Sequence, residues 1–110
     1  MTEIARFPGT ETLAFALRLR PGTEAEYQRR HDTIWPDMRD ALLASGILHY
    51  EIHLCREESL LFAFIIRSTS HSMDSLPDNP VWQRWQAHMG DILVGTPARI
   101  PLELMFSLSR

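Results

Sequence analysis

Tyr27 and His31 stand four positions apart in the run Tyr27-Gln28-Arg29-Arg30-His31, a spacing that puts both side chains on one face of a helix, one turn from each other. A phenol and an imidazole so placed form a proton-transfer pair, because an imidazole titrates near about 6.5 and serves as acid or base at neutral pH. The same spacing describes a half-buried histidine beside an aromatic at a helix end, so the pair alone names no reaction. Trp82, Trp85 and Met89 form a second set at helical spacing. Their indoles could stack on the apolar face of a sugar ring, or fill a core as aromatic stripes usually do. His49, Glu51 and His53 form a third set, alternating along what reads as a strand. The H-E-x-x-H spacing is absent there, and the outer histidines are roughly 13 Å apart at about 3.3 Å per residue, too far to share one ion. No metal site is expected. The chain has no glycine-rich phosphate loop, no G-x-S-x-G elbow and no nucleophilic Ser or Cys with an evident base. Acid–base chemistry with no cofactor and no covalent intermediate is what remains for an enzyme.

These residues need a scaffold, and the hydrophobic periodicity supplies one. Residues 1–11 show no period and read as an extended arm; residues 12–110 read as a single domain. From Thr12 to Arg20 the pattern is period-two, with Leu13, Phe15, Leu17 and Leu19 on one side. Pro21-Gly22 ends that strand. Thr23-Glu24-Ala25-Glu26 follows as a capping box that starts a helix, which falters before Pro36. Pro36 then opens a second helical segment ending near Ser45-Gly46. His49 to Leu54 alternates as a strand with Tyr50, Ile52 and Leu54 on one face, and Leu60 to Ile66 is apolar on both faces, the mark of a strand covered on both sides. Asp78-Asn79-Pro80 opens a further helix, with Asn79 or Asp78 as its cap, expected to end near Gly95, and Ile100 to Leu108 alternates as a fourth strand. The order strand, helix, strand, strand, helix, strand is the ferredoxin-like βαββαβ unit of the α+β class, a sheet with its helices on one face. The doubly apolar third strand then calls for a second sheet, and so for a homodimer.

Bulk properties narrow the function further. A chain that is 45% hydrophobic and 23% charged lies in the globular range. A net charge of −3 with no Lys/Arg-rich run argues against nucleic acid and membrane surfaces as partners and favours a neutral ligand. Cys55 is the single cysteine, which precludes an internal disulfide and suits a reducing, cytoplasmic setting. Glu3, Arg6, Pro8 and Glu11 interrupt any secretory h-region.

Tyr27-Gln28-Arg29-Arg30-His31 followed by Ile34-Trp35-Pro36 resembles the Y-x-x-R-H-x-x-I-W-P signature of L-rhamnose mutarotases. The resemblance extends over roughly residues 13–108 through His49-Tyr50-Glu51-Ile52, Leu60-Leu61-Phe62-Ala63 and Gln83-Arg84-Trp85. It implies a dimeric α/β barrel, a 6-deoxy sugar substrate (L-rhamnose), His31 as the acid–base residue, Tyr27 and Tyr50 as substrate contacts and Trp85 as a sugar platform. Where the family commonly has a second Trp after the first, this chain has Gln86, which on a helix points roughly 100° from Trp85 and would border a different part of the pocket. Asp32 and Asp37 are further candidates for accepting sugar hydroxyls. Two other readings suit the same fold, a non-catalytic dimeric sugar-binding sensor and a cofactor-free oxygenase, and fold alone does not choose among them.

Overall fold

The computed structural model describes residues 8–95 and 99–110; residues 1–7 of the expected N-terminal arm lie outside the described residues. In chain order the elements are β1 (Thr10–Arg18), α1 (Glu24–Asp32), α2 (Pro36–Ala44), β2 (Ile47–Cys55), β3 (Leu60–Ser68), a 3-10 helix (Met73–Asp78), α3 (Pro80–Met89) and β4 (Arg99–Pro101). The strands form one antiparallel sheet in the order β2-β3-β1-β4. This is the expected ferredoxin-like arrangement, with α1 and α2 together in the place of the first helix. Among the described residues no helix is long and apolar enough to cross a membrane.

Register decides which side chains face the helices. Phe15 lies opposite Ala63, Leu17 opposite Leu61, and Ile52 opposite Ala63, so the odd-numbered apolar residues of β1 and β3 share a face with Tyr50, Ile52 and Leu54 of β2. On that face Leu19 and Leu61 pack with Tyr27 of α1, Met38 of α2, and Val81, Trp85 and Met89 of α3. Each large side chain so buried contributes about 1.5–3 kcal/mol. The reverse face presents Ala14, Ala16, Phe62, Phe64 and Ile66, with His49, Glu51 and His53 along its edge strand. No described helix packs there, and Phe62 is left 39% exposed. Among the described residues, then, helices cover β3 on one side only, although its sequence is apolar on both.

The joint between α1 and α2 follows from proline. Trp35, at φ −58° and ψ 133°, is held extended by Pro36, and the Thr33 and Ile34 amides close the end of α1 on the carbonyls of Arg29 and His31. After α2 the chain reverses at Gly46, whose φ of +101° and contact with His71 suit only glycine.

Three expectations need correction. The capping box does not form: Thr23 Oγ1 donates back to the Arg20 carbonyl at 2.6 Å, and Glu26 turns to arginines of its own helix. The third helix stops at Met89, not near Gly95, because the following residues are drawn into the sheet edge. The Arg20 amide donates to the Ile92 carbonyl and the Val94 amide to the Arg18 carbonyl, and Leu19 bridges Leu93. The fourth strand covers only Arg99–Pro101, not residues 100–108. Pro101 brings no amide hydrogen to the ladder, and beyond it the alternating apolar residues pair with no strand among the described residues.

Candidate functional site

α1 is polar apart from one buried residue, Tyr27, so its attachment to the fold depends on ion pairing as well as packing. Arg30, whose side chain is only 11% exposed, donates from Nε to Glu26 Oε2 at 2.6 Å. From Nη1 it donates to the His88 carbonyl and to Asp91 Oδ1, both at 2.8 Å. Hydrogen bonds from Arg29 and Arg30 pull the Glu26 carboxyl down to about 2. The Arg30 cation thus sits against the C-terminal carbonyls of α3, where the helix dipole favours it, and ties the helix bearing Tyr27 and His31 to the helix bearing Trp85.

His31 is held on three sides. Its Nδ1 donates to the Tyr27 carbonyl at 3.1 Å, which leaves Nε2 as the unprotonated nitrogen of the neutral ring. The Tyr27 ring stacks on it with centroids 4.3 Å apart and planes at 27°. Trp85 meets it edge-on at 5.4 Å and 87°. Burial pushes the His31 pKa below its ordinary value, outweighing the opposing pull of the Tyr27 carbonyl and Asp32, so at neutral pH the ring is uncharged and basic at Nε2. Burial raises the Tyr27 and Tyr50 phenols above the usual range, which keeps both as neutral hydroxyls able to donate or accept.

Tyr27, His31, Tyr50, Trp85 and Gln86 all line one cavity of about 1240 Å³ between the helices and the sheet. It is larger than the roughly 300–1,000 Å³ of common small-molecule sites. Tyr50 rises from the sheet floor. Trp85 is only 5% exposed and is itself packed edge-on against Trp35 at 5.1 Å, so it serves as a wall and as a support for His31, with little free ring face. Trp82, three residues earlier, is less buried and lines the same cavity. Gln86 is exposed, at the rim. Asp32 also borders the cavity, whereas Asp37 does not and instead pairs with Arg84 at 3.3 Å.

Sequence spacing did not single out Arg99, which lines the cavity from β4 opposite Leu17. Its inward parity becomes visible only when the strand is begun one residue before Ile100. His49 and His53 lie on the reverse face. Their Nε2 atoms each donate to a different oxygen of Glu51, His49 at 2.6 Å, so the three residues satisfy one another. Among the described residues, no group of three or more His, Cys, Asp or Glu side chains is arranged to hold a metal ion.

The family model described as L-rhamnose mutarotase matches residues 12–108. Similar chains include the L-rhamnose mutarotase of Jannaschia sp. (strain CCS1), 46% identical over 102 residues and covering 89% of this chain and 98% of that one. That of Verminephrobacter eiseniae (strain EF01-2) is 48% identical over 103 residues, covering 90% and 97%. Among solved structures, the L-rhamnose mutarotase FA22100 from Formosa agariphila superposes with a TM-score of 0.79 at 33% identity, covering 90% of this chain and 99% of that one. Rv0793 from Mycobacterium tuberculosis, at 17% identity and a TM-score of 0.59, covers 91% and 99% and shares the fold alone.

Proposed function

The chain belongs to the L-rhamnose mutarotase family, an isomerase that interconverts the pyranose anomers of L-rhamnose, and we propose that His31 moves the protons in that reaction. The observation that carries this assignment is an imidazole lining the cavity with Nδ1 committed to the Tyr27 carbonyl and Nε2 uncommitted among the described residues. Nε2 takes the proton from the anomeric hydroxyl. As the bond from C1 to the ring oxygen breaks, the imidazolium returns that proton to the ring oxygen, giving the open aldehyde. Rotation about C1–C2 presents the other carbonyl face. The ring hydroxyl then attacks C1, its proton passes to Nε2, and Nε2 returns it to the new anomeric oxygen. One imidazole can serve both oxygens because both are bonded to C1. No charge is left over and no cofactor is needed.

Around His31, the Tyr27 and Tyr50 hydroxyls hold sugar oxygens. The accessible edge of Trp85 borders the sugar's apolar side, and Gln86 meets its periphery with an amide in place of an indole. Residues 12–110 act as one catalytic domain. We further propose a homodimer in which two copies of the apolar sheet face meet, closing a dimeric α/β barrel. Two features support it: the face of Phe62, Phe64 and Ile66, on which no described helix packs, and a C-terminal stretch in which Met105 is 87% and Phe106 and Leu108 are 78% exposed. The free Cys55 suits a cytoplasmic setting. Saturation-transfer NMR on L-rhamnose tests the reaction: exchange between the two anomeric proton signals must rise in proportion to enzyme concentration. A protein that perturbed its own fluorescence with sugar yet left exchange at the buffer rate would be a sugar-binding sensor.

A further inference from the structure

We propose that Arg99 is a substrate-binding residue that lets this site accept sugars bearing a carboxylate at C6 as well as the neutral 6-deoxy sugar; the inference rests on the mutarotase reading and extends its substrate class. Arg99 is fixed by the β4 ladder, with its neighbours Ile100 and Pro101 paired to Ala16 and Phe15. Its guanidinium carbon lies 3.7 Å from the Phe15 ring centroid. Stacking of that kind occupies a face of the guanidinium and leaves its in-plane N–H edge for a bidentate acceptor. Among the described residues no carboxylate lies within salt-bridge distance of Arg99. The acidic group on the same sheet face, Glu11, is already engaged by Arg67 at 3.5 Å and His71 at 3.7 Å. Arg67 adds a second positive charge within range of Arg99.

Position within the cavity gives this cation its meaning. Trp85 meets His31 edge-on and His31 stacks on Tyr27, while Tyr50 from β2 and Arg99 from β4 line the same cavity. The acid–base pole and the guanidinium thus border the same space, one from the helices and the other from the sheet. That space exceeds what a bare 6-deoxy ring needs. A neutral sugar with a methyl at C6 leaves the cation uncompensated, whereas a carboxylate there meets it with paired, charge-assisted hydrogen bonds. The hemiacetal opens and recloses as before, and the carboxylate is carried through unchanged.

The test compares anomer exchange of L-mannuronate, which differs from L-rhamnose only in a carboxylate for the methyl, with that of L-mannose and L-rhamnose at sub-saturating concentration. The wild type is expected to exchange L-mannuronate at least tenfold faster than L-mannose. Arg99→Gln should erase that advantage, bringing the ratio of L-mannuronate to L-mannose exchange close to one, Arg99→Lys should retain part of it, and added salt should weaken the uronate arm selectively. Saturation-transfer difference NMR gives a readout besides turnover, since L-mannuronate binding should be lost in Arg99→Gln. Equal rates for L-mannuronate and L-mannose in the wild type, or an advantage that survives Arg99→Gln, would overturn the proposal. Failure of the wild type to exchange L-rhamnose would instead overturn the reading on which it rests.

Discussion

Burial at His31 sets the pH range in which its proton can move. In the proposed mechanism the free imidazole is the form that accepts the anomeric proton, and burial lowers its pKa from the ordinary value near 6.5. The unprotonated form therefore persists to lower pH than it would in an exposed histidine. The expected outcome is an acid limb of kcat/KM, measured by NMR exchange, with a midpoint below about 6.5; a midpoint above it would assign the limb to another group. Gln86 allows a specificity prediction. In its proposed role the amide at the rim should tolerate a hydroxylated C6, so Gln86→Trp should raise the preference for L-rhamnose over L-mannose by roughly 10-fold, within what one pocket substitution achieves. An unchanged ratio would mean that residue 86 does not border the bound sugar. At this scale Tyr27 and His31 were legible because i,i+4 spacing on a helix fixes a shared face whatever the surroundings. Arg99 was not, because the parity of a three-residue strand depends on where pairing begins, nor was the pairing of Asp37 with Arg84, 47 positions away.

α1 is the element whose placement matters most, and it buries only Tyr27. The Arg30 clamp onto Asp91 and the end of α3 therefore does work that apolar packing does elsewhere. Arg30→Gln should lower the melting temperature and reduce exchange by up to about 100-fold through misplacement of His31, with the acid limb moving as the imidazole becomes more solvated. Exchange and pH profile unaltered would show that α1 is held without the clamp. Gly46 is the second sensitive point: a Cβ there would lie 2.9 Å from the His71 Cα, at a φ of +101°. Gly46→Ala should destabilise the fold by more than about 1 kcal/mol, read from the denaturation midpoint. Proline marked the starts of α2 and α3 plainly in the sequence, and Asn79 caps α3 as its type suggests, accepting from the Val81 amide at 2.9 Å. The end of α3 and the length of β4 were not readable, because both are set by tertiary partners: the β1 edge that captures residues 92–94, and the want of any neighbour beyond Pro101.

For the whole molecule, one apolar sheet face carries no described helix, and the apolar C-terminal stretch is exposed among the described residues. The proposed homodimer would account for both, and light scattering at micromolar concentration should then give twice the 12.7 kDa chain mass. Deleting residues 102–110 or introducing Phe62→Asp should shift the protein toward monomer. A wild type that stays monomeric would mean the sheet face is covered by other means. The central claim is narrower than assembly: the molecule speeds exchange of L-rhamnose anomers through the His31 imidazole. It is tested most directly by saturation transfer between the two anomeric protons of L-rhamnose at equilibrium, with buffer, wild type and His31→Asn side by side. Wild type should transfer saturation well above buffer, and His31→Asn, folded as judged by circular dichroism and melting, should fall about 10²–10⁴-fold. Exchange by the folded variant at the wild-type rate would contradict the account.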